Sequence, residues 1–150
     1  MTVIRDGDGG NTADRHRRPA GVDDTTVEAT GKLSEALEIT ERARGHLYAF
    51  HQLTGGADLA LGRAAELLRK AGHDRFAERI TTELLGRNVL EGRWTFQIVE
   101  EYDDGYYESF RRIERDTREE LLQGCRHVYE AEMKETRRTR GRPGHEAGPQ

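Results

Sequence analysis

Arg44, His51 and His127 are the residues of this chain whose types could do chemistry in concert. On a helical wheel, Arg44 and His51 fall within about 20° of the middle of the stripe formed by Leu33, Leu37 and Leu47, the side that should face a core. A guanidinium there needs a partner, because an unpaired buried charge is costly. Two arrangements satisfy it. In the first, Arg44 pairs with an acidic residue such as Glu101 or Asp103, and His51 is hydrogen-bonded at the end of the core. In the second, Arg44, His51 and His127 line a polar pocket, with Arg44 holding an anion and the histidines near a ligand or metal ion. The second arrangement would make the protein a metal- or small-ligand-binding helical bundle.

Familiar catalytic patterns are incomplete in this chain. Di-iron bundles use Glu-x-x-His, but Ala43, Tyr48, Lys70 and Gly124 stand three residues before His46, His51, His73 and His127. Glu38 and Glu41 with Glu100 and Asp103 superficially resemble the acidic pairs of helical nucleoside triphosphate pyrophosphatases. The wheel, however, turns Glu41 about 80° and Glu38 about 140° away from the apolar side, toward water. Cys125 has no motif that arranges a histidine and an acid around it, and Gly7-Asp8-Gly9-Gly10 lacks the lysine and the strand-to-helix context of a phosphate loop. No catalytic residue, metal-ligand set or cofactor is therefore assigned, and the first expectation is a non-enzymatic helical interaction or scaffold protein.

The remaining motif lies near the C-terminus. Arg140-Gly141-Arg142-Pro143, preceded by Arg137 and Arg138, resembles the core of an AT-hook, with Gly144 and His145 where a further basic residue is usual. The resemblance covers four residues. It implies a nucleic-acid-associated protein in which Arg137, Arg138, Arg140 and Arg142 make weak, salt-sensitive contacts along a minor groove.

Composition fixes the setting for these residues. The chain has 150 residues, 34% hydrophobic and 35% charged, with a formal net charge of −4. That is enough apolar material for one modest core. Residues 1–25 have almost no large apolar side chain and read as a disordered acidic tail, and residues 137–150 read as a disordered basic tail. One cysteine, no apolar run of membrane-spanning length and a polar start point to a cytoplasmic protein without a membrane partner.

Between the tails, residues 26–136 read as an all-α bundle of about four helices. Thr25 and Glu28 have capping-box spacing, and the first helix should run to about Leu53, where Thr54-Gly55-Gly56 breaks it. Asp58 should then cap a second helix carrying Leu61, Ala64, Ala65, Leu68 and Ala71, with Gly72 as its stop. A third should follow from Asp74 to Gly86, with Phe76, Ile80 and Leu84 on one side. The last helix should run about thirty residues from near Asp103, its apolar spacing passing through Gly124, with Glu108–Arg112 and Glu114–Arg118 on its exposed face. Residues 93–99 alternate like a strand but have no second run to pair with, so an irregular or helical lead-in is expected. A last helix longer than its partners suggests self-association through it.

Overall fold

The structure is a computed structural model that describes residues 14–147. The described residues are all-α, with four helical bodies and one isolated bridge between Leu90 and Arg93. The expectations for residues 1–13 and 148–150 fall outside the described residues. Helix α1 spans Asp24–Lys70, α2 Asp74–Glu83, α3 Thr95–Tyr102, α4 Glu108–Leu122 and α5 Val128–Arg137. A π-helical turn, Asp103–Tyr107, joins α3 to α4 without interruption. No helix among the described residues is long and apolar enough to cross a membrane.

The expected break at Gly55-Gly56 does not occur, since α1 is a single helix of 47 residues. Glycine can adopt helical dihedrals, at a cost of about 1 kcal/mol relative to alanine. Leu47, His51, Thr54, Asp58, Leu61, Ala65 and Leu68 keep a three-four spacing across the glycines, so the inward stripe stays in register. Asp58 is consequently mid-helix, and its Oδ1 accepts the Gly86 amide at 2.8 Å just beyond α2. The helix start also differs from expectation: Asp23, and not Thr25, caps it, accepting the Thr26 amide at 2.7 Å. Gly72 ends the helix as expected, with φ +82° and the His73 amide reaching back to the Leu68 carbonyl at 2.8 Å.

The chain divides into two compact units, at Leu37/Glu38 and at Ser109/Phe110. In the unit formed by residues up to 37 and from 110 onward, Val27, Leu122 and Val128 make the core, with Val22 and Cys125 packed against them. The last helix is shifted from its expected place, beginning at Thr95 and ending at Leu122. Gln123 and Gly124 take positive φ and the Gly124 amide bonds the Arg118 carbonyl, so Gly124 is a helix stop and not a stripe residue. Glu114 and Arg118 do pair, at 3.0 Å, but in the interior, where Ser34 also donates to Glu114. Gly31 lets α1 approach Tyr129, whose Cβ would lie 3.0 Å from an added methyl.

The inner end of the expected N-terminal tail makes specific contacts with this unit. Arg18 forks onto both oxygens of Glu132 at 2.9 Å and also reaches Asp24 at 2.6 Å. His16 Nδ1 donates to the Arg126 carbonyl at 2.6 Å, and the Cys125 thiol donates to the Arg15 carbonyl at 2.8 Å. The sequence at 14–23 is too polar to look like packed chain, yet its guanidinium and carbonyls meet complementary groups on and beside α5.

The unit of residues 38–109 holds the rest of α1, α2, α3 and the π turn. Its fully covered apolar side chains are small, namely Ala65, Ala77 and Val99. On α2 the covered residue is Ala77, whereas Phe76 and Leu84 of the expected inner side are 48% and 54% exposed. Residues 93–99 resolve as a helical lead-in: Trp94 is extended, and the Gln97 side chain accepts its amide at 3.0 Å to start α3.

Candidate functional site

Arg44 projects from the inward stripe of α1 to the first residue of the π turn. Its Nε and Nη2 donate to Asp103 Oδ1 and Oδ2 at 2.6 and 2.9 Å, a two-point fork that fixes both side chains. The guanidinium also lies over the Tyr107 ring, 5.5 Å from its centroid, and the Tyr107 hydroxyl donates to Glu41 at 2.7 Å. The fork holds the Asp103 carboxyl below the usual carboxylate range, with burial opposing, and raises the Arg44 pKa. The π turn contributes directly to this arrangement. Its extra residue brings Tyr107 onto Tyr102, with centroids 6.3 Å apart, while Tyr106 also stays within 5.9 Å of Tyr102.

His51 shares a 2.7 Å hydrogen bond between Nδ1 and the Thr95 hydroxyl, and its ring lies 6.0 Å from that of Tyr48. Arg44 and His51 thus share a unit and an α1 stripe, each with its own partner. His127 belongs to the other unit, where it adopts φ +59° ahead of α5 and its ring meets His16 edge-on at 5.8 Å. The crevice beside His127 has a volume of about 20 Å³, room for a water molecule and no more. Among the described residues, no group of three or more His, Cys, Asp or Glu side chains is placed to hold a metal ion.

A cavity of about 650 Å³ opens in the unit of residues 38–109, between α1 and the segment that follows α2. Leu61, Leu84, Val89 and Trp94 give it apolar walls, and Asp58, Asn88 and Thr95 supply polar groups. Sequence reasoning missed this site, because it needs α1 continuous past Gly56 and Asp58 turned toward Gly86.

The basic segment near the C-terminus is drawn into local contacts. Arg138 Nε and Nη2 reach the two oxygens of Glu135 at 2.5 and 3.0 Å, and Arg140 reaches the same carboxylate at 2.8 Å. Both arginines hold the Glu135 carboxyl below the usual range, Arg138 more strongly. The segment folds through turns with Gly141 and Gly144 at positive φ, and His145 Nδ1 accepts the Thr139 amide at 3.2 Å. Arg137, the last residue of α5, and Arg142, in the turn, are both exposed.

A second stripe on α1 has no counterpart in the sequence expectations. Ile39, Ala43, His46, Phe50, Leu53, Ala57, Ala60, Ala64 and Leu67 recur at alternating steps of four and three, one residue ahead of the inward stripe. All nine are exposed, with Leu53 at 72% and Ile39 at 50%. Comparison of the chain with protein-family models, with curated proteins and with solved structures finds no match.

Proposed function

We propose that this is a non-enzymatic helical interaction protein that associates with copies of itself through the apolar surface of residues 38–109. One observation carries the reading. In this unit thirteen large apolar or aromatic side chains are exposed, from Ile39 and Tyr48 to Phe96 and Tyr106, against three small covered ones, Ala65, Ala77 and Val99. Single exposed apolar residues are ordinary on a protein surface, but so many on so thin a core favour a surface that another chain covers. The sequence is consistent with this reading, since its acidic pairs and its histidines do not complete a catalytic pattern.

The test uses an apolar dye, 1-anilinonaphthalene-8-sulfonate, with the full chain over a wide range of protein concentration. Emission per mole of protein should fall as concentration rises and copies cover one another's apolar surface. Emission per mole that is independent of concentration contradicts the reading.

A further inference from the structure

We infer that α1 is the seam of a homodimer, pairing antiparallel with α1 of a second copy so that residue 55 of each chain lies near the two-fold axis. The inference rests on the self-association proposed above and says which surface is used and in what register. Steps of four and three sustained from Ile39 to Leu67 are the repeat that lets two helices interlock side chains along a shared seam. The helix carrying that repeat is continuous, and the stripe is exposed at every position.

The order of large and small residues selects orientation and register. With the chains antiparallel about residue 55, Leu53 meets Ala57 of the second copy and Phe50 meets its Ala60. His46 then meets Ala64, and Leu67 meets Ala43. Every layer combines one bulky side chain with one alanine, the alternation that fills an interface without voids or clashes. A parallel pair would instead set Phe50 on Phe50 and Ala60 on Ala60, crowding some layers and emptying others. Sliding the antiparallel pair by one heptad would set Phe50 on Leu53 and Ala43 on Ala60, with the same defect.

Gly56 supplies an independent reason, whereas Gly55 lies on the side of the helix opposite the seam. Gly55 and Gly56 cost an exposed helix about 1 kcal/mol each relative to alanine, and a methyl added at either would touch nothing within 4 Å among the described residues. The packing among the described residues of one chain thus gives no reason for them. At the proposed crossing Gly56 flanks the seam and faces Gly56 of the second copy, where a missing side chain permits close backbone approach. The stripe is about 42 Å long on a helix about 10–12 Å across, so the pair covers about 900 Å² in all. The flanking Leu47 and Leu61 bring this near the roughly 1,000 Å² expected of a specific interface.

Spin labels on the full chain test the inference, with Cys125→Ser to remove the one native thiol and single cysteines at the exposed positions Glu38, Gln52 and Glu66. Measured along the helix axis, the proposed register separates the two labels by about 51 Å at position 38, about 33 Å at 66 and about 9 Å at 52. A parallel dimer gives short distances at all three positions, and the one-heptad slide makes position 66 the longer of the two outer distances. Either pattern overturns the inference while leaving self-association standing. A monomeric chain overturns both. Leu53→Glu adds a second readout, since Leu53 is 72% exposed and the substitution should leave the helix content unchanged. The mass should halve to 17.1 kDa. A helical Leu53→Glu variant that stays dimeric shows that the α1 stripe is not the seam.

Discussion

Asp103→Asn removes the charge from the two-point fork with Arg44 while keeping the shape of the side chain and one acceptor oxygen. Both partners are partly open to solvent, with side-chain exposures of 34% for Arg44 and 29% for Asp103. The loss therefore belongs well below that of a fully buried pair, at about 1–2 kcal/mol near pH 7. At a fixed protein concentration this lowers the thermal midpoint by about 3–6 °C for a chain of this length. The pH dependence has a definite sign. Because the fork lowers the folded-state pKa of Asp103, its contribution is fully present above the unfolded value of about 4. It is lost as the pH falls through the folded value. Circular dichroism melts of wild type and variant should therefore differ by a constant amount between about pH 5 and 8, and the gap should narrow below about pH 4. Equal midpoints at pH 7, or a gap that widens on acidification, would refute the assignment of the fork as a stabilising contact.

Other substitutions probe the remaining elements. Gly31→Ala should destabilise by about 1–3 kcal/mol in urea unfolding, because its methyl would fall 3.0 Å from Tyr129 Cβ and 3.1 Å from its Cγ, and a variant as stable as the wild type would contradict that close approach. The Cys125 thiol, its pKa raised by burial and its S–H hydrogen-bonded to the Arg15 carbonyl, should react slowly with a disulfide reagent at pH 7.5 until urea unfolds the chain; rapid native labelling would contradict that placement. Glu135→Gln should release Arg138 and Arg140 and raise low-salt binding of duplex DNA measured by fluorescence anisotropy, and deletion of residues 137–150 should remove that binding.

The sequence made the helical class legible because the punctuation at Gly72 and Gly86 coincides with real left-handed stops. It also brought Arg44 to one of its two expected partners, since a guanidinium on an inward stripe must find an acid. Continuity through Gly55-Gly56 was not legible, because glycine permits both a turn and a helix, and only the packing of the inward stripe on either side decides between them. Gly124 misled for the converse reason: it occupies a stripe position by spacing while serving as a stop by conformation. The outer stripe of α1 was present in the sequence but divided between two expected helices, so its step of four and three from Ile39 to Leu67 emerges only once the helix is whole. The cavity bounded by Asp58, Val89 and Trp94 brings together residues separated by up to 41 positions, from Thr54 to Thr95, which no local pattern records.

Sedimentation equilibrium of the full chain, run from sub-micromolar to about 100 µM, tests self-association most directly. The expected result is a reversible rise in average mass from 17.1 kDa to twice that value. A single species of 17.1 kDa throughout would contradict the proposed role of the exposed apolar surface.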